Sequence, residues 1–261
     1  KLQNNLITTL TEYIALVKER MVYFDSHGCR LADLGLTEVD FELPLKHEAE
    51  NIFLQVLTGH ELNSQQVRKL KCYFFVEFGK LCHQLDWTLQ LHIGVSPNIN
   101  ARRKMEVGAG TGFSAMSDLP KIKNLGLLLN ELDVSHQLPK MVLFNLNPSE
   151  NSALIALCGA FQDSDSAGGK VQFGPAWWFN DHKQGIEQQL TTLKNLGLLG
   201  RFIGMTTDSR NILSLSRHEY FRRIFCNQLS TWVLQGDIPD DWELLQFTVQ
   251  NVCYRNAQQF F

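Results

Sequence analysis

No block of like charge interrupts this chain. Its 261 residues carry 24 Lys and Arg against 27 Asp and Glu, a formal net charge of -3, with both signs interspersed. Neither nucleic acid nor a membrane surface is therefore an expected partner. Long apolar runs are also missing: the richest, Leu154–Cys158 and Leu196–Gly200, fall far short of the roughly 20 residues that a spanning helix needs. The six cysteines (Cys29, Cys72, Cys82, Cys158, Cys226 and Cys253) form no C-x-x-C pair and mostly lie in apolar surroundings. Buried free thiols in the cytoplasm are the expectation, rather than a disulfide framework. No charged tip followed by an apolar core marks a signal peptide. Repeats, low-complexity tracts and linkers long enough to separate domains are absent, so residues 1–261 read as belonging to a single domain.

What is present is ordinary in bulk, with 44% apolar and 20% charged residues, enough for one large α/β domain with a substantial core. Five short apolar, β-rich stretches end in Gly, Pro, Asn, Asp or a polar run: Met21–Phe24, Trp87–Gly94, Met141–Pro148, Lys170–Pro175 and Phe202–Asp208. Each is followed by helical periodicity, as buried parallel strands in βα units should be. Expected helices are Ser64–Leu85, with its stripe through Val67, Leu70, Phe74, Phe78 and Leu81, and shorter ones near Leu119–Leu132, Ser149–Phe161, Gln184–Leu198, Arg217–Leu234 and Asp240–Tyr254. At the start, Leu2, Leu6, Leu10, Tyr13, Ile14 and Val17 form a helical stripe with no leading strand or cap-rich entry.

Strand–helix alternation leaves a doubly wound sheet or a (β/α)8 barrel. The first would usually place a Gly-rich phosphate loop after its opening strand, and none is found. The expectation is an α/β fold of the TIM-type (β/α)8 barrel, with about the last five βα units present in this chain.

In such a barrel, chemistry sits where the strands end. The residues in those places are His27, His92, Asn145 with Asn147, Trp177 with Trp178, and Asp208 with Arg210. Asp208 following an apolar stretch suits a metal ligand or general base, or alternatively a helix N-cap. Arg210 beside it suits an anionic substrate. His92 is either a satisfied core histidine or, with Asp208, half of a divalent-metal pair; His27 has a similar placement. Trp177 and Trp178 suit core packing and the wall of a sugar-like ligand's pocket equally. The charged run Arg217–Arg223 reads as the outer face of a helix, and the glycines of Met105–Asp118 as a βα loop, because their spacing is not that of a phosphate loop.

Several of these segments together resemble the uronate (glucuronate) isomerase family. They are Gly174–Asp181, Gly204–Arg210, Ser216–Ile224, Gln90–Gly94, Lys170–Gly174 and Gly236–Asp241, which cover nearly the whole chain in order. The resemblance implies an amidohydrolase-type barrel and reversible aldose–ketose isomerisation of hexuronates: glucuronate with fructuronate, galacturonate with tagaturonate. It also implies a divalent metal, zinc by carry-over, with His92 and Asp208 at the metal site and Asp208 moving a proton through an enediol. Arg210 would bind the substrate, Trp177 would line its pocket, and Arg102 and His27 would be further substrate-binding candidates. A homo-oligomer is implied for the full-length protein. The family's His-x-His metal pair has no counterpart in this chain. Leu34 stands where the family usually has His, Pro97 begins a segment that differs from its Arg-Asn-Asn-Asn, and Ser149 replaces a common Arg. A metal-dependent hydrolase of the same superfamily, or a catalytically degenerate relative, is the alternative reading.

Overall fold

The computed structural model describes residues 7–118, 121–163 and 169–261. They form an α/β structure whose main sheet has the strand order β1 (Leu31–Leu36), β2 (Thr88–Ile93), β5 (Met141–Asn145), β6 (Val171–Phe173). The chain divides into two compact units, the first built from the stretches up to Ala32, 39–89 and 121–140, the second from 33–38, 90–120 and 141–261.

In the first unit, α1 (Leu10–Ser26) opens on a capping box in which Thr9 and Glu12 satisfy each other's exposed amides. This corrects two expectations. The helix has a capped entry at Thr9, and Leu2 and Leu6 lie outside the described residues. Met21–Phe24 is its last turns rather than a strand: Met21 extends the buried stripe begun at Leu10, while Val22, Tyr23 and Phe24 are exposed and Arg20 lies over both aromatic rings. Helical spacing wins over local β-propensity because one continuous face is buried. The first strand lies further on, at β1 (Leu31–Leu36). Two more helices follow, α2 (Lys46–Leu57), which sequence reasoning missed, and α3 (Ser64–Gln84), where it was expected. Leu10, Ala49 and Phe53 form a core against which Ile14, Leu70, Tyr73 and Phe74 pack.

The next elements are β2 (Thr88–Ile93), the antiparallel pair β3 (Val95–Ser96) and β4 (Ala115–Met116) enclosing α4 (Ala101–Val107), and α5 (Ile122–Asp133). Leu125, Leu128, Leu129 and Leu132 make the buried face of α5. Gly79 on α3 has no side chain because a Cβ there would come within 2.8 Å of Leu132.

The second unit is organised by β5 (Met141–Asn145) and β6 (Val171–Phe173), which pair in parallel with Met141 opposite Val171 and Leu143 opposite Phe173. Every residue of both strands is buried, as expected of parallel strands covered on both faces. Helices α6 (Asn151–Ala160), α7 (Lys183–Leu196), α8 (Arg217–Gln235) and α9 (Trp242–Gln250) complete it.

The expected fifth strand, Phe202–Asp208, joins no ladder among the described residues. Phe202, Ile203 and Met205 are buried as a strand's residues would be. The polar backbone is met by side chains instead: Asn256 Nδ2 donates to the Phe202 carbonyl at 2.9 Å, and Arg217 Nη1 to that of Thr207 at 2.7 Å. Burial pattern reports what covers a segment, and a ladder needs a neighbouring strand as well.

All six cysteines are free, and burial pushes the thiols of Cys82 and Cys158 up to about 12. No helix among the described residues is long and apolar enough to cross a membrane.

Candidate active site

His92 lies near the end of β2, and the chain turns away immediately after that strand. Gly94 makes the turn with φ +86°, where a Cβ would crowd the Asn145 side chain and the backbone of Leu146 and Asn147. The imidazole is held by aromatic rings: Phe144 of β5 stacks on it at 4.5 Å and 8°, and Trp177 lies tilted against it at 4.5 Å and 56°. Phe144 reaches this position because residue 174 is glycine; a Cβ there would stand 2.7 Å from its ring. In the ring plane, His92 Nδ1 lies 2.9 Å from Asp33 Oδ1.

A cavity of about 390 Å³ opens over this cluster, lined by Asp33, His92, Phe144, Trp177, Thr207 and Asp208 among others. An adjoining cavity of about 350 Å³ shares Asp33, His92, Trp177, Trp178 and Asp208 with it and adds Arg210. Four expected site residues, His92, Trp177, Asp208 and Arg210, are thus gathered by the second unit alone. Two of the lining residues hold left-handed backbone, Trp178 at φ +46° and Asp208 at φ +46°. That conformation is uncommon for any non-glycine residue and costly for a bulky one. At Asp208 it ends the extended segment abruptly and leaves the carboxylate exposed at the cavity.

In the wall of the first cavity with Asp208, Arg217 at the start of α8 pairs with Asp181 and donates to the Thr207 carbonyl. The Asp181 side chain is only 4% exposed, so this pair ties the segment after Trp177–Trp178 to the Asp208 turn. The rest of the charged run behaves as expected of an outer face: Glu219 pairs with Arg223 in exposed positions. Burial, and then the charge of Arg222, lowers the affinity of His218 for a proton.

Sequence reasoning took Arg217 for part of an exterior face, and it singled out neither Asp33 nor Asp181. Each had a usable signal: Asp33 in a short apolar alternation with Ala32 and Leu34, Arg217 at the helix start following the Asp208 turn, and Asp181 closing the aromatic run. Two other expected residues lie elsewhere. Arg102 sits on α4, exposed, with Nη1 2.6 Å from Glu106 Oε1, and lines neither cavity. His27 is the C-terminal cap of α1 in the first unit, where its Nδ1 lies 2.8 Å from the Tyr23 carbonyl. Asn145 and Asn147 are occupied structurally, Asn145 toward Asn151 and Asn147 toward Ser149 and Ser117. Of the three departures from the family pattern, Pro97 lines the second cavity, Leu34 lies between Asp33 and Gly35, which do, and Ser149 lines neither.

No group of three or more His, Cys, Asp and Glu side chains converges among the described residues. Zinc takes at least three protein ligands. His92 and Asp208 alone therefore do not make a complete site for it, and no chemical step is routed through a metal.

Comparison with known proteins places the chain in a family. The family model described as "Glucuronate isomerase" matches residues 1–261. A uronate isomerase of Caldanaerobacter subterraneus is 43% identical over 97% of this chain, and that of Bacillus subtilis 42% over 98%; in each case 54% of the relative is covered. The crystal structure of a uronate isomerase from Thermotoga maritima superposes with a TM-score of 0.88 at 29% identity, covering 97% of this chain and 54% of that one. The chain spans about half the length of the curated relatives it matches. With the family model matched end to end, the chain belongs to the glucuronate (uronate) isomerase family.

Proposed function

We propose that this chain provides the substrate-handling half of a hexuronate aldose–ketose isomerase active site, interconverting D-glucuronate and D-fructuronate, and D-galacturonate and D-tagaturonate. The observation that supports it is the placing of His92, Trp177, Asp208 and Arg210 around adjoining cavities, in a chain of this family. Isomerisation between C1 and C2 needs a base near the C2 hydrogen and a cation or hydrogen-bond donor at the oxygen where enediolate charge develops. Asp208 is the base in this reading. The Arg210 guanidinium holds the sugar acid's carboxylate or hydroxyls. The Trp177 ring shields the reacting carbons from water.

The fold in this reading is the C-terminal part of a (β/α)8 barrel, with Phe202–Asp208 as a strand that pairs once a neighbour lies beside it. A divalent ion, zinc by carry-over, belongs to the reading only with ligands beyond His92 and Asp208. The cavities lack the basic or apolar expanse that nucleic acid or a membrane would need, so the partner is a small hexuronate, with self-association as a homo-oligomer. The unpaired thiols are in keeping with the cytoplasm.

The test is a chimera in which this chain replaces the matched part of the Caldanaerobacter relative. Incubated with D-glucuronate in D2O and followed by 1H NMR, it should form D-fructuronate and exchange the C2 proton. Asp208→Asn should lower that rate by at least ~100-fold. An inactive chimera that folds, or an Asp208→Asn variant as fast as its parent, would overturn the assignment.

A further inference from the structure

We infer that Asp33 is a positioning residue that fixes the proton of His92 on Nδ1 and thereby presents an unprotonated Nε2 to a substrate hydroxyl. The inference deepens the proposed function and rests on it for the substrate class, a polyhydroxy acid. Its own basis is geometric. Asp33 and His92 stand on β1 and β2, neighbours in the sheet order, so strands rather than a loop set their separation. Phe144 stacks on one face of the imidazole and Trp177 lies tilted against it, so the ring is held by apolar contact while its two in-plane nitrogens serve polar ones. One of them, Nδ1, lies 2.9 Å from Asp33 Oδ1.

An ionised carboxylate can only accept, so Nδ1 carries the hydrogen, and in the neutral ring Nε2 then has a lone pair and no proton. A free neutral imidazole prefers the opposite tautomer, with the hydrogen on Nε2. The carboxylate therefore reverses an intrinsic preference, and it does so for the nitrogen left to the cavities that His92 lines. A lone pair at that point accepts from a sugar hydroxyl; an N–H could not.

Stability is not what this pair supplies. The Asp33 side chain is 60% exposed against 19% for His92, and an exposed partner contributes little to folding. That difference makes the role testable apart from structure.

The experiment is long-range 1H–15N NMR on the 261-residue chain labelled in histidine, in mildly alkaline buffer, with the His92 signals assigned by their loss in His92→Gln. The expected pattern is a protonated Nδ1 and an unprotonated Nε2. Asp33→Leu should move the proton to Nε2, and Asp33→Glu should restore the parent pattern at least in part. The remaining histidine signals, unchanged, report that the fold persists. Should Asp33→Leu disturb them, Asp33→Ser carries the same expectation. A parent protein with its proton on Nε2, or a pattern indifferent to Asp33→Leu, overturns the inference. In the chimera, Asp33→Leu should lower kcat/KM on the order of 10- to 100-fold, with Asp33→Glu recovering part of it. An inactive chimera counts against the isomerase reading alone, because the NMR result decides the role of Asp33 without turnover.

Discussion

Left-handed backbone serves two different ends in this chain. In the first unit all four helices among the described residues finish in the same way, as α8 of the second does at Gly236. Gly28, Gly59, Asp86 and His136 have positive φ after α1, α2, α3 and α5. The amide beyond each reaches back to close the last turn: Cys29 to Phe24, His60 to Gln55, Trp87 to Cys82 and Gln137 to Leu132, at 2.8–3.0 Å. These are Schellman ends, in which the left-handed residue satisfies carbonyls that would otherwise be orphaned. In the second unit, Trp178 and Asp208 take nearly the same φ but follow extended segments and line the cavities. There the conformation aims side chains instead of finishing a helix. The same backbone state is a helix end in one place and part of a cavity wall in the other.

Breaking the brace beside the second kind should have the largest effect. Arg217→Met removes the partner of the nearly buried Asp181 and the donor to the Thr207 carbonyl. The stranded carboxylate should cost about 3 kcal/mol of unfolding free energy, measured by denaturant titration. Asp181→Ala should cost less, since the Arg217 side chain it leaves behind is 37% exposed. Equal losses would show that the pair does not act as the geometry indicates.

Glycine substitutions sharpen the comparison directly. Asp86→Gly relieves a left-handed helix end whose side chain is 89% exposed, gives up only a loose surface pair with Lys140, and should stabilise by about 0.5 kcal/mol. Asp208→Gly should stabilise by a similar amount and abolish hexuronate turnover in the chimera, the signature of strain kept for function. A destabilised Asp208→Gly would mean that the turn is held by side-chain contacts and stores no strain.

The smallest expected effect is on pH. Folding holds His218 neutral by burial and by the charge of Arg222, so its folded affinity for protons lies below that of the unfolded chain. The unfolded state binds the proton first, and stability falls as pH drops below about 6.5, the ordinary imidazole value. In His218→Gln this part of the slope should vanish in thermal melts between neutral and mildly acidic pH.

These particulars also show what could be read without coordinates. The stripe through Val67, Leu70, Phe74 and Leu81, and the runs that became β2, β5 and β6, were legible because burial on one face, or on both, leaves a period or an unbroken apolar run. Met21–Phe24 misled because four apolar residues fit a strand or a helix equally; only the continuation of the buried face from Leu10 decides. Phe202–Asp208 shows the other limit, since its residues are covered like a strand's while no ladder reaches it among the described residues. Arg102 and His27 fit by type and order, and neither is among the lining residues of the two cavities.

By itself, then, the sequence determined the family, the α/β class, the free thiols and four residues, His92, Trp177, Asp208 and Arg210, that line adjoining cavities. Those properties follow from residue type and local order, which covalent neighbours carry. Tertiary structure alone decided that Asp33 meets His92 across 59 positions, that Arg217 turns inward to Asp181, and that the absence of a side chain at residue 174 lets Phe144 lie flat on the imidazole. Pairings of this kind arise where strands and loops converge, and no local pattern records which distant residue will stand opposite. Asp208 was visible in the sequence from the outset; the left-handed turn that exposes its carboxylate was not.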